Sequence, residues 1–165
     1  MKAPDATTGL TPLHEAQRIV LDAATPLGLE KISILDTLGR VLGEDIIAER
    51  HNPPWDNSAM DGFAVRAEDI QQEHTISKPV TLTVIEDVPA GKMPTKSVGR
   101  GQAIRIMTGA PIPKGADTVL KVEDTEHTPD SVRVFKPEPR GSNIRPQGIK
   151  EKNGDCIIPK GTTIR

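Results

Sequence analysis

The sequence predicts a mainly β chain with one N-terminal helix, an α+β fold in two parts. Three observations predict it. Fifteen prolines and fourteen glycines in 165 residues favour short elements and many turns over long helices. Only one stretch, near the N-terminus, carries apolar residues at helical spacing. From Glu30 onward the apolar residues alternate, or come in short runs between Pro/Gly clusters, as strands do.

Taken in order, the first element is a helix. Leu13, Ala16, Val20 and Ala23 fall on one face, Thr11 is placed to cap it, Pro12 suits its first turn and Pro26 ends it. Ile32 and Ile34 then alternate with Lys31 and Ser33, which predicts a half-buried strand. Ile46 and Ile47 predict another. The stiff Pro53-Pro54 pair marks a boundary, so residues 51–142 read as a separate β unit. Its expected strands are Phe63–Arg66, Val80–Val88, Ala103–Met107, Thr118–Val122 and Ser131–Phe135. Short strands at this spacing suggest a small barrel or sandwich. A last strand is expected at Cys156–Ile158, with Cys156 as a small core residue.

Composition excludes several functions. The 21 basic residues against 23 acidic ones form no basic stripe, which argues against nucleic acid. The single cysteine cannot form an intrachain disulfide, and no Cys cluster offers a zinc site. Met1–Leu10 has no apolar run, and no stretch approaches a membrane span. A cytoplasmic protein is therefore expected, with no membrane contact. Histidines 14, 51, 74 and 127 lack metal spacing and read as surface residues.

The chemistry gathers in Pro54-Trp55-Asp56-Asn57-Ser58-Ala59-Met60-Asp61-Gly62-Phe63-Ala64-Val65. Asp, Asn and Ser bond nearby backbone and favour turns. Such an oxygen-rich loop either holds a hard cation, most naturally Mg²⁺ with a phosphate, or simply folds on itself. Gly62 permits a tight bend or the close approach of another segment. Met107-Thr108-Gly109-Ala110-Pro111 reads as a strand running into a corner, where a hydroxyl and N–H groups either bind an oxyanion or only make the turn. Arg145 suits a phosphate or carboxylate. Glu123 reads as a ligand or as the outer face of a strand. Arg105 reads as a solvated or salt-bridged strand residue.

These blocks resemble the MoeA and gephyrin E-domain family. Besides the 54–65 segment, the resemblance is carried by Ile104-Arg105-Ile106-Met107-Thr108-Gly109-Ala110-Pro111, by Gly115-Ala116-Asp117-Thr118-Val119, by Gly141-Ser142-Asn143-Ile144-Arg145 and by Pro159-Lys160-Gly161-Thr162. It implies an elongated first domain, residues 1–50 and 143–165, that mediates homodimerisation, with residues 51–142 inserted as a second β domain. It implies molybdopterin molybdenumtransferase activity: molybdate-derived molybdenum enters adenylylated molybdopterin and AMP leaves, with Mg²⁺ assisting. Molybdopterin adenylyltransferase would then act upstream as a partner. By this likeness Asp61 and Thr108 are the catalytic residues. Asn57, Ser58, Gly109 and Arg145 touch the cofactor, and Asp61 with Glu123 faces the metal.

The resemblance further implies a pterin-binding domain that this chain lacks, so the chain by itself is expected to supply one wall of the site. One departure stands out. The family pattern has Gly-Glu-Asp after the Asn-Ile-Arg block, and this chain has Gly148-Ile149-Lys150, with Glu151 and Asp155 nearby. The competing readings are a non-catalytic scaffold or a divergent paralogue of the same fold.

Overall fold

The computed structural model describes residues 10–25, 27–71 and 78–165. They divide into two compact units. One is formed by residues up to Gly43 with Gly161–Arg165, the other by Glu44–Lys160. His74 and Pro26 lie outside the described residues.

In the first unit α1 spans Leu13–Ala23. Its N-cap is Pro12, not Thr11, and no side chain caps it. The expected apolar face forms but is not covered: α1 buries none of its residues, and Leu13, Ile19, Val20 and Leu21 are exposed. The expected strand at Ile32 and Ile34 is absent. Ile34–Asp36 is a 3₁₀ turn instead, with the Ser33 hydroxyl accepting from the Leu35 N–H at 3.3 Å. Alternation there had no partner strand to pair with, and a capping serine favours the turn.

The second unit is built on a six-stranded sheet that curls into an open half-barrel. Its strands are β3 (Gly62–Val65), β4 (Val80–Val88), β5 (Gln102–Ile106), β6 (Thr118–Lys121), β7 (Thr125–His127) and β8 (Ser131–Val134), in the order β6-β3-β5-β4-β8-β7. All neighbours run antiparallel except β4 and β5, which are parallel. Two short ladders flank the sheet: β1 (Ile46–Ile47) with β10 (Cys156–Ile158), and β2 (Asn57–Ser58) with β9 (Ile144–Arg145). Cys156 is exposed on β10, which corrects the expectation of a core position. A two-strand ladder has no second layer to bury it.

Both faces of the half-barrel are apolar, because successive strand residues point to opposite sides. Phe63 and Val65 pack with Leu82, Ala103, Leu120 and Val132 on one face. Ala64 packs with Val88, Ile104, Ile106 and Val119 on the other. Every residue of β3 is therefore buried, and full burial of a side chain such as Phe63 contributes roughly 1.5–3 kcal/mol. Gly62 is required by contact rather than by φ: a Cβ there would stand 1.7 Å from the Leu120 carbonyl oxygen on β6.

Candidate functional site

The 54–62 loop is held by segments distant in sequence. The Gln147 N–H donates to Asp56 Oδ1 at 2.7 Å, and its side-chain amide donates to the Pro54 carbonyl at 2.6 Å. The Ile112 N–H donates to the Asp56 carbonyl at 3.0 Å. Ser58 N–H donates to Ala110 O at 3.0 Å, Gly109 N–H to Ser58 O at 2.9 Å, and Ala59 N–H to Asn143 O at 2.8 Å. Three of the sequence blocks thus converge on one place.

Within that place the predicted residues take different parts. Ser58 is fully buried, and its hydroxyl donates to Met60 O at 2.6 Å, so it shapes the loop from inside. Asn57 pairs with Arg145 across the β2–β9 ladder, and its Oδ1 is buried without a hydrogen-bond partner. Gly109 adopts φ 86°, a left-handed conformation that glycine reaches without a Cβ penalty. Its N–H is engaged by Ser58, so the corner's role is to hold the loop. Arg145 is exposed and has no side-chain partner among the described residues.

Asp61 is exposed at the entrance to β3. Its Oδ1 accepts the Thr108 N–H at 2.7 Å and the Thr108 hydroxyl at 2.8 Å. The backbone bond from Thr108, then its hydroxyl, hold the Asp61 carboxyl below its ordinary value of 3.8; slight desolvation opposes this and the Arg105 charge assists. Asp61 is thus a firmly ionised, pre-oriented carboxylate. Both Thr108 donors point at it, so Thr108 reaches an outside anion only by giving up the hydroxyl bond.

Arg105 is a salt-bridged strand residue and His127 lies at the surface, as the sequence led one to expect. In-register pairing puts Arg105 opposite Phe63, on the sheet face that Asp61 shares by period two. Arg105 Nη1 lies 3.1 Å from His127 Nε2, and its Nε lies 3.9 Å from an Asp87 carboxylate oxygen. The His127 ring leans on Phe63 with centroids 5.3 Å apart. The period-two signal was present, but the register that gives it meaning lies between strands.

The metal reading meets a test here. Among the described residues no three His, Cys, Asp or Glu side chains gather as a cage. Glu123 is exposed in the 3₁₀ turn Val122–Asp124, whose Val122 N–H donates to the Asp61 carbonyl at 3.0 Å. Mg²⁺ commonly rests on one or two carboxylates, waters and a substrate phosphate, and Asp61 Oδ2 fits that open arrangement. At the divergent segment, Glu151 Oε2 accepts from Asn52 Nδ2 at 2.7 Å and Asp155 Oδ2 from the Lys152 N–H at 2.7 Å. Glu151 is thereby tied to the distant Asn52 segment, and Asp155 to its own turn. No helix among the described residues is long and apolar enough to cross a membrane.

Comparison with known proteins adds the following. The family described as MoeA N-terminal region (domain I and II) matches residues 11–165. A molybdopterin molybdenumtransferase of Synechococcus elongatus is 41% identical over 143 residues, which is 86% of this chain and 35% of the relative. That of Bacillus subtilis is 39% identical over 157 residues, 93% of this chain and 36% of the relative. The crystal structure of a molybdopterin biosynthesis moeA protein from Pyrococcus horikoshii OT3 superposes with a TM-score of 0.86 at 40% identity, over 94% of this chain and 41% of that one. The chain spans about a third of the length of these curated relatives.

Proposed function

The chain belongs to the MoeA N-terminal region family, and on that premise we propose that it forms the domain I and II portion of a molybdopterin molybdenumtransferase. The proposed reaction inserts molybdate-derived molybdenum into adenylylated molybdopterin and releases AMP, as a step of molybdenum cofactor biosynthesis. The observation that carries the reading is the ionised Asp61 carboxylate, oriented by Thr108 at an exposed edge where three sequence blocks meet.

In this reading Asp61 Oδ2 faces a Mg²⁺ that, when bound, offsets phosphate charge. Thr108 holds the carboxylate in place. Arg145, exposed and unpaired among the described residues, receives an anionic group of the substrate. Asn57, Ser58 and Gly109 keep the loop in shape. The remaining walls come from parts of the relatives that this chain does not span.

The proposal includes a homodimer formed through the first unit. Its support is a helix that buries none of its residues, together with exposed Leu27, Leu29, Ile34, Leu35 and Leu38. Exposed apolar area on this scale marks an association surface. Molybdopterin adenylyltransferase is the proposed upstream partner, because it would supply the adenylylated substrate.

The test is AMP release. A full-length protein containing this chain, given adenylylated molybdopterin, molybdate and Mg²⁺, is expected to release AMP with molybdenum incorporation. Absence of both would reject the enzymatic reading and favour a scaffold.

A further inference from the structure

Parallel strands need a crossing connection, and a helix usually makes it. Between the parallel strands β4 and β5 the crossing, residues 89–101, contains neither helix nor strand. Residues 89–97 bury no side chain, and Pro94 alone is half-buried among them. Apolar packing therefore does little to hold this segment.

One carboxylate takes most of the hydrogen bonds that hold it. A register shift between Val84 and Glu86 skips Ile85, and Glu86 resumes the ladder opposite Ile104. Its two oxygens accept the Thr95 N–H at 3.0 and 3.1 Å, and further accept the Thr95 hydroxyl at 2.8 Å and the Lys96 N–H at 2.9 Å. Lys96 Nζ donates to the Ile85 carbonyl at 2.7 Å. Burial pushes the Glu86 carboxyl up, but the donors of Thr95 and Lys96, with the Lys92 charge, bring it below 4.5, so the group is ionised at neutral pH. Beyond this point Val98 is buried and its N–H donates to Lys114 O at 2.8 Å, which anchors the far end.

Upstream of the Glu86 bonds stands Met93, 55% exposed. It lines a cleft of about 390 Å³ with Trp55, Pro111, Ile112, Pro113 and Lys114. The opposite wall is firm, because Gln147 and Ile112 clamp the residues on either side of Trp55. One wall is thus braced from several directions, while the other hangs mainly on the Glu86 carboxylate, with Lys96 Nζ adding one bond.

We infer that residues 89–96 form a latched strap, with Glu86 as the latch, and that release of the latch moves Met93 away and opens the cleft beside Trp55. The cleft adjoins the candidate site through Asp56, so the strap governs access to one flank of it. The inference stands independently of the proposed reaction.

Trp55 is the only tryptophan, so its emission reports on the cleft directly. In the full chain, Glu86→Ala is expected to speed hydrogen exchange at the Thr95 and Lys96 amides by about tenfold or more, and to raise acrylamide quenching of Trp55. Met93→Ala should raise quenching while leaving those amides protected. Thr95→Val, which removes only the hydroxyl donor and leaves β4 untouched, should shift exchange the same way by a smaller factor. It decides the question if Glu86→Ala does not fold. Parent-like quenching and amide protection in a folded Glu86→Ala protein, or unchanged Lys96 exchange in Thr95→Val where Glu86→Ala is unfolded, would overturn the inference.

Discussion

Asp61 Oδ1 receives both hydrogen-bond donors of Thr108, the N–H at 2.7 Å and the hydroxyl at 2.8 Å. The bonds tie the loop before β3 to the corner after β5, two strands that are neighbours in the sheet. They fix which carboxylate oxygen stays open. Oδ2 accepts no hydrogen bond among the described residues, and the side chain is exposed.

The first prediction concerns chemistry. In a full-length protein, Asp61→Ala is expected to lower AMP release on the order of 10²-fold, with Tm changed by no more than about 2 °C. The group lies on the surface, so its loss should harm the reaction more than the fold. Molybdenum insertion at the parent rate would remove Asp61 from the site.

The second concerns acid behaviour. The Asp61 carboxyl should titrate below 3.8 by carbon NMR. Thr108→Val keeps the larger, backbone contribution and loses the hydroxyl, so the value should rise partway toward 3.8. Arg105→Gln should raise it less, since that charge is the smallest of the favourable influences. A larger effect from Arg105→Gln than from Thr108→Val would refute this ordering. For stability the sign follows from the lowered value. The folded state favours the ionised form, so the contribution is present above 3.8 and disappears as pH falls through the lower folded value. Urea midpoints of Asp61→Asn should accordingly depend less on pH in that acid range.

The third concerns Gly62. An alanine Cβ would meet the Leu120 carbonyl oxygen at 1.7 Å, and that atom is backbone in the adjacent strand. Gly62→Ala should therefore cost about 2–4 kcal/mol, as overpacking that forces backbone apart does. A urea midpoint indistinguishable from the parent would show that β3 and β6 can separate freely.

The fourth concerns association. Leu21 is 71% exposed on α1. If the first unit pairs two copies, the parent should scatter light with twice the chain mass of 17.8 kDa, and Leu21→Lys should shift it toward one. A single-chain mass for the parent would reject the homodimer.

Much of the fold was legible along the chain. The Leu13–Ala23 helix followed from its spacing, and β1, β4 and β10 were read with their observed ends, Ile46–Ile47, Val80–Val88 and Cys156–Ile158. β3, β5, β6 and β8 differ by a residue at one end or both, because strand ends depend on where a partner stops bonding. Ile32 and Ile34 misled, since alternation alone does not supply a neighbour. Cys156 misled for the same reason: an apolar run was read as core where only a two-strand ladder exists.

Sequence alone determined where most turns fall and which segments extend. These are local matters of φ freedom, side-chain period and residue chemistry. The tertiary structure decided which oxygen of Asp61 stays open, that Ser58 faces inward, that Arg105 lends its charge to Asp61, and that Glu86 holds a helix-free crossing. The Asp61 contacts join residues far apart in the chain, 47 positions in the case of Thr108. Such pairs are set by strand register, and register is a property of two segments meeting rather than of either one.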